Sequence, residues 1–251
     1  MTNGAYMVDP LDVIRKSRRF DLIFKVELAD AWGRGDVATI RRAEEAYLEM
    51  VRARNGFYER NPPKHTPSDF IDGFRKVAAS IHQRGYDCRL EPIPLDADGE
   101  VLNGAHRLAA CAAYRRPCPV ITSERRSTGG SRYEAFLHGK IHPAVACWGM
   151  RAYLRRFPDG CLANEFATKV GPDMPFPDWM IHARSLRLDS FLWRLRAGAY
   201  LIKVALRFGI RREKTLQKVD ACRQHAGASF MLAHYWEEQR IAAEEREGAY
   251  G

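Results

Sequence analysis

The sequence contains no uninterrupted apolar run of about 18 or more residues, the length that a membrane-spanning helix requires. Residues 1–19 also lack the basic segment followed by an apolar segment that is typical of a secretory signal. We therefore expect neither a membrane span nor export, and we expect a cytoplasmic location.

Cysteine is scarce and irregularly spaced. There is no Cys-x-x-Cys pair and no other spacing typical of zinc ligands among the six cysteines, which occupy positions 88, 111, 118, 147, 161 and 222. This pattern favours reduced thiols over a disulfide framework, and it makes a structural zinc site an unfavourable interpretation.

Basic residues exceed acidic ones, 40 against 31, for a formal net charge of +9. The excess is compatible with nucleic acid, anionic lipid or phosphorylated substrates as partners. The arginine pairs are scattered through the chain, so charge alone does not select one of these partners.

The most informative stretch runs from Pro92 to Val120. Two short apolar runs, Ile93–Leu95 and Val101–Leu102, flank an acidic turn, and the alanine-rich residues that follow favour a helix from Ala105 to Tyr114. A further apolar run then leads to Val120. The order predicts a small βαβ-like unit with Asn103-Gly104 at the start of its helix.

Glycine at that position would let a ligand approach the backbone closely, and a helix N-terminus attracts anions such as phosphate. His106 and Arg107 would add donors at the same place. The alternative is a simple strand-to-helix turn whose Arg107 is solvated, and the pattern alone does not decide between them.

The segment NGAHRLAA at 103–110, preceded by the strand hairpin and followed by CPVI, resembles the signature of the ParB/sulfiredoxin-like superfamily. In that superfamily a Gly-x-x-Arg segment at a helix start binds nucleotide phosphates. The resemblance spans residues 64–122. It implies a small mixed-sheet core at 57–125. Helical patterns on either side predict an N-terminal helical lobe at 1–56 and a helical C-terminal region at 126–251, so we expect an α+β fold.

The superfamily includes sulfiredoxins, ParB-type DNA clamps and free-serine kinases. Ala105 stands where sulfiredoxins carry their reactive cysteine, and the motif is less basic than that of ParB clamps. The free-serine-kinase branch is therefore nearer. The resemblance implies a kinase that uses ATP or another nucleoside triphosphate, with Mg²⁺, to phosphorylate a small hydroxylated molecule such as a sugar or an amino acid. A ParB-like nucleotide-binding DNA-binding protein is the alternative, although no convincing recognition helix is present.

Several residues are candidates for the site. The phosphate-binding candidates are Asn103, Gly104, Ala105, His106, Arg107 and, as a flexible point charge before a predicted helix, Lys64. The candidates for handling the acceptor hydroxyl and its proton are His106, Glu59 and Glu100. Asp98 in the acidic turn is the magnesium candidate. The alternative for Glu59, Lys64 and Asp98 is that each is a solvated loop or turn residue without a part in the site.

Elsewhere the pattern predicts helices at 37–54 and 69–84, with Asp36 and Gly85 marking a start and an end. Prolines at 62, 63 and 67 predict an irregular loop at 57–67. Apolar and basic residues interleave over 184–208, which allows either a soluble packing helix or peripheral contact with a membrane. Two more helices, at 210–226 and 228–247, are predicted to join at Gly227.

Overall fold

The computed structural model describes residues 4–60, 62–87, 89–129, 132–138, 141–170, 187–188, 190–197, 199 and 212–248. Helices and short strands both occur there, so the fold is of the α+β class. The chain divides into two compact units, and each is assembled from two separated stretches. The first unit comprises Met1–Met50 and Ser68–Pro175, and the second comprises Val51–Pro67 and Phe176–Gly251.

The described elements are, in chain order, β1 Tyr6–Val8, α1 Pro10–Lys16, α2 Asp21–Arg34, α3 Val37–Asn55, β2 Glu59–Arg60, β3 Pro63–Lys64, α4 Pro67–Arg84, β4 Ile93–Leu95, α5 Ala105–Ala113, β5 Cys118–Thr122, α6 Tyr133–His138, α7 Pro143–Arg156, α8 Ala163–Lys169 and α9 Arg212–Gly248. Residues 187–188 and 190–197 are also helical.

The first unit contains a mixed three-stranded sheet in the order β1-β5-β4. β4 runs parallel to β5 with Ile93 opposite Val120, and α5 connects these two strands. The predicted βαβ-like unit is therefore confirmed. β1 was not predicted, because its exposed Tyr6 and Met7 give no alternating pattern; it pairs antiparallel with β5 at the edge of the sheet.

Aromatic side chains build much of the core of the first unit. Phe20 is fully buried and meets four rings edge-on, at centroid distances of 5.0–5.7 Å, namely those of Phe24, Tyr133, Phe136 and Phe166. A Cβ atom on Gly149 of α7 would lie 2.5 Å from the Phe24 ring. The absence of a side chain at Gly149 is thus what lets α7 approach α2 closely.

The predicted helix boundaries around α3 and α4 are confirmed. The Asp36 carboxylate accepts a hydrogen bond from the Thr39 backbone N–H at 2.9 Å, as an N-cap does. Gly56 and Gly85 adopt φ values of +62° and +75° where the two helices end. Both stops depend on the left-handed conformation that glycine adopts without a steric cost.

Two predictions were wrong. The proline-containing segment 57–67 is not irregular throughout, because β2 and β3 form a short antiparallel hairpin with Arg60 opposite Pro63. Proline is accommodated there at the first residue of a strand. The predicted helices at 210–226 and 228–247 are one continuous helix, α9, because a single interior glycine costs only about 1 kcal/mol relative to alanine.

Within the described residues, no helix has the length and apolar character needed to cross a membrane.

Candidate functional site

The start of α5 has the backbone that the sequence predicts. Gly104 is the N-cap, with φ +79° and ψ +19°, and it offers no side chain to cap the helix. The Asn103 side-chain oxygen accepts from the Gly104 N–H at 2.7 Å, so it is occupied one residue before the helix. Because the first N–H groups of a helix have no partner within the helix, residues 105–107 present donors at this point.

The Arg107 side chain folds back over Gly104. A Cβ atom at position 104 would lie 3.0 Å from Arg107 Nη2. Arg107 Nη1 donates to the Tyr86 hydroxyl at 2.7 Å and to the Glu91 carbonyl oxygen at 2.6 Å. Both acceptors are neutral groups, so they hold the guanidinium at the helix start without cancelling its charge.

A groove of about 840 Å³ adjoins this arginine. Tyr86 and Glu91, the two residues that bind Arg107, also line the groove. The remaining lining is largely apolar and includes Tyr6, Met7, Leu90, Pro92, Pro117 and Pro119. A concave, mostly apolar surface with a few polar groups at one side is typical of small-molecule sites of this size.

His106 faces the aromatic residues of α3 and α4. Its ring lies 4.6 Å from the Phe74 ring, and its Nε2 is 2.9 Å from the Tyr47 hydroxyl. Phe74 and Tyr47 are both fully buried. His106 Nε2 is thus engaged by the Tyr47 hydroxyl. A histidine held in this way is better suited to positioning the start of α5 than to accepting a proton from the substrate.

Asp96, rather than Asp98, organises the acidic turn. Its carboxylate accepts hydrogen bonds at 2.8–3.0 Å from the backbone N–H groups of Asp98, Glu100 and Ser127. Burial favours the neutral acid, but these bonds and the nearby Arg126 together outweigh it and lower the pKa of Asp96 below its ordinary value. The turn is therefore stabilised by an ionised carboxylate.

The acid sensitivity of this turn is open to measurement. Because the pKa of Asp96 is lower in the folded chain than in an unfolded one, where it is about 3.9, the ionised side chain stabilises the fold above that pH and ceases to do so as the pH falls. We expect Asp96→Asn to lower the urea midpoint at neutral pH, and the difference from wild type to shrink as the pH falls below the unfolded-state pKa. Asp98→Asn is the control, since Asp98 accepts none of the three hydrogen bonds; a constant difference across the pH range would contradict the assignment.

Glu100 is buried and both of its oxygens are occupied. Oε2 accepts from the Ser17 hydroxyl at 2.6 Å, and Oε1 accepts from the Arg18 backbone N–H at 2.7 Å. The side chain thereby ties the turn to the connection between α1 and α2. This arrangement gives Glu100 a structural part in the first unit.

The hairpin separates Asp98 from the start of α5. Val101 pairs antiparallel with Leu95, and the Leu102 N–H donates to the Pro94 carbonyl oxygen, so the chain returns alongside β4. The exposed Asp98 lies in the turn at one end of this hairpin, whereas Gly104 lies beyond its other end. Nor do the described ranges contain a cluster of three side chains suited to binding a metal ion.

Glu59 and Lys64 belong to the second unit. They are opposite each other in the β2–β3 hairpin, and Lys64 Nζ lies 2.5 Å from Glu59 Oε2. The Lys64 side chain is 10% exposed and that of Glu59 is 35% exposed. The two predicted residues are thus brought together as an ion pair, in which each offsets the charge of the other.

A buried charged cluster in the first unit was not predicted. Asp21 is fully buried and accepts from Arg19 Nε and Nη2 at 3.0 and 2.7 Å, and it also binds Lys25. Arg19 Nη1 in turn donates to the Val101 carbonyl oxygen at 2.6 Å. Because Val101 lies three residues before Gly104, the cluster holds the segment that leads into the start of α5. The Arg18-Arg19 pair did not predict this cluster, because a sequence does not distinguish a buried arginine from an exposed one.

A second cavity of the first unit, of about 540 Å³, was also missed. Arg34, Arg42, Arg155 and Arg156 line it together with Glu27, Asp30 and Trp148. Arg156 binds Glu27 at 2.5 Å and Asp30 at 2.7 Å. These residues come from α2, α3 and α7, so only the folded chain places them together.

Comparisons with protein-family models, with curated proteins and with solved structures each found no match for this chain. Its function is therefore inferred from the arrangement of the residues described above.

Proposed function

We propose that this chain is a nucleotide-dependent phosphoryl transferase with a ParB/sulfiredoxin-like core, acting on a small hydroxylated molecule such as a sugar or an amino acid. The observation that carries the proposal is the guanidinium of Arg107 lying over left-handed Gly104 at a helix start without a side-chain cap. ATP or another nucleoside triphosphate is the phosphoryl donor.

The start of α5 has the chemistry that a phosphate group requires. Backbone N–H groups at residues 105–107 and the positive end of the helix dipole both favour an anion. Arg107 adds a charged donor whose present acceptors, the Tyr86 hydroxyl and the Glu91 carbonyl oxygen, are neutral. A guanidinium forms stronger hydrogen bonds to phosphate oxygens than to neutral acceptors, so a phosphate would compete favourably for it.

The adjoining groove supports a nucleotide rather than a simple inorganic anion. Arg107 is hydrogen-bonded to two residues that line it, so phosphates at the helix start would leave the nucleoside next to the groove. The Tyr86 ring and the apolar side chains there offer surfaces on which a base can stack. The volume of about 840 Å³ falls within the range of small-molecule sites.

In the reaction, the bond from the terminal phosphorus to its bridging oxygen breaks and releases the nucleoside diphosphate, while a bond from that phosphorus to the acceptor hydroxyl oxygen forms. The hydroxyl proton passes to water. Arg107 and the N–H groups of α5 stabilise the negative charge on the phosphoryl oxygens. Magnesium neutralises phosphate charge in such reactions. The nucleotide phosphates would be its main ligands here, because Asp98 lies beyond the other end of the hairpin and the oxygens of Glu100 accept hydrogen bonds.

A cytoplasmic location is part of the proposal. Cys111 and Cys118 are buried thiols in α5 and β5, next to each other in the core of the first unit. Reduced cysteine in a folded core is the usual state in the cytoplasm.

The test is a thermal-shift panel of ATP, ADP, CTP and GTP with Mg²⁺, applied to wild type and to Arg107→Ala. A nucleotide that binds only the folded chain at about 100 times its Kd stabilises it by roughly 2.7 kcal/mol. We expect Arg107→Ala to weaken nucleotide affinity by roughly ten- to a hundredfold, because a hydrogen bond to a charged group contributes about 1.5–3 kcal/mol. Arg107→Lys should retain part of the affinity.

Arg125→Ala is the matched control, since Arg125 is an exposed arginine of the same unit. If Arg107→Ala binds every nucleotide as wild type does, the phosphate site is wrongly assigned. In a separate assay with wild type and ATP, release of ADP that depends on an added sugar or amino acid would identify the acceptor. Steeply salt-dependent binding to duplex DNA without hydrolysis would instead support the DNA-binding alternative.

A further inference from the structure

A stripe of large apolar side chains is exposed on the helical residues 187–188 and 190–197 of the second unit. Leu188, Phe191, Leu192 and Leu195 are 59%, 56%, 51% and 55% exposed. They are spaced at i, i+3, i+4 and i+7, so they lie on one face of the helix. Burial does not explain their apolar character, because about half of each side chain faces solvent.

The opposite face of this segment is already packed. Ala197 and Trp193 lie against Val219 and Cys222 of α9, and the Trp193 ring stacks on His225 at a centroid distance of 4.9 Å. The helix therefore has an inner face that anchors it within the second unit. The exposed stripe, called here the leucine stripe, is a separate surface.

Arginines border the leucine stripe on both sides. At 3.6 residues per turn, Arg187 and Arg194 lie roughly 90–110° from its centre in one direction, and Arg196 lies roughly 90° in the other. Arg187 pairs with Glu237, Arg194 lies 5.9 Å from the Phe230 ring, and Arg196 lies 5.3 Å from the Trp193 ring. Arginines in these positions can rest their aliphatic stems on apolar surface and extend the charge outward.

The charge around the stripe selects an anionic partner. The described residues of this segment, 187–188 and 190–197, include three arginines and no acidic residue. Because Arg187 is paired with Glu237, the positive charge beside the stripe comes from Arg194 and Arg196. In a symmetric contact between two copies of the chain, the same arginines would face one another and repel. Residues 184–186, 189, 198 and 200–208 of the predicted 184–208 segment lie outside the described residues.

We propose that the leucine stripe is a peripheral binding surface for anionic lipid bilayers. The four apolar side chains enter the boundary between headgroups and acyl chains, and Arg194 and Arg196 contact the lipid phosphates. The stripe belongs to the second unit and the nucleotide site to the first, so this inference does not depend on the proposed phosphoryl transfer. It places the protein next to a membrane without requiring a segment that spans one.

The test is sedimentation of the full chain with vesicles of phosphatidylcholine alone and of phosphatidylcholine mixed with phosphatidylglycerol. We expect binding to the mixed vesicles and little binding to the neutral ones. Replacing Leu192 and Leu195 together by serine should reduce partitioning at least about tenfold, because two partly buried leucines are lost. Arg194→Gln and Arg196→Gln should each reduce it roughly fivefold, and salt should weaken it.

Ile241→Ser is the matched control, because Ile241 is a 48% exposed apolar residue of α9 outside the stripe. Failure of wild type to bind the mixed vesicles overturns the proposal regardless of how the variants fold. Equal binding by wild type and the double serine variant also overturns it. Self-association that the double variant abolishes, without vesicle binding, would assign the stripe to a second copy of the chain instead.

Discussion

Replacing Asp21 by alanine will lower the free energy of unfolding by about 3–5 kcal/mol, the usual cost of breaking a buried ion pair by removing one partner. Asp21 is fully buried and is the shared acceptor of Arg19 and Lys25, which are only 8% and 2% exposed. Alanine would leave two cations in the core without this carboxylate. Urea denaturation of the wild type and the variant measures the difference.

The control is Asp12→Ala. Asp12 pairs with Arg15 at 2.7 Å, but the two side chains are 55% and 40% exposed, so the loss should be only about 0–1 kcal/mol. Adding Lys25→Met to Asp21→Ala should recover part of the lost stability, because it removes one of the two buried cations that no longer have the Asp21 carboxylate. Equal losses for Asp21→Ala and Asp12→Ala would show that burial does not govern this cluster.

Phe20→Ala will lower the free energy of unfolding by a similar amount, about 3–5 kcal/mol. The side chain is fully buried and its ring meets four other rings edge-on, so alanine leaves a cavity between elements that are far apart in the sequence. Edge-to-face contacts add about 0.5–1.5 kcal/mol to the burial of an aromatic side chain. Thermal or chemical denaturation reports the loss.

Phe230→Ala provides the comparison for the same chemical change. Phe230 is 48% exposed on α9, so its removal creates no enclosed cavity, and the expected loss is small. If Phe230→Ala lowered the free energy of unfolding as much as Phe20→Ala, the burial of the Phe20 ring would not be what stabilises the first unit. The contrast separates the loss of a buried ring from the general effect of replacing phenylalanine.

Local signals predicted the elements around the candidate site well. Gly104 at the start of α5, Asp36 before α3 and Gly85 after α4 each act through backbone chemistry confined to a few residues. The βαβ-like unit could be predicted for the same reason, since an alanine-rich segment between two apolar runs favours a helix between strands. The edge strand β1 could not, because its pairing depends on β5, more than a hundred residues away.

The candidate site residues show the same contrast between local signals and long-range contacts. The sequence by itself determined that a glycine-arginine segment opens a helix and that the chain carries an excess of positive charge, because both follow from residue types and short spacings. Only the tertiary structure decided that Arg107 folds back over Gly104, that Glu100 binds the Ser17 hydroxyl, and that Lys64 pairs with Glu59. The partner of a long charged side chain is chosen by which residues the fold brings within about 3 Å, and neighbours in space need not be neighbours in sequence.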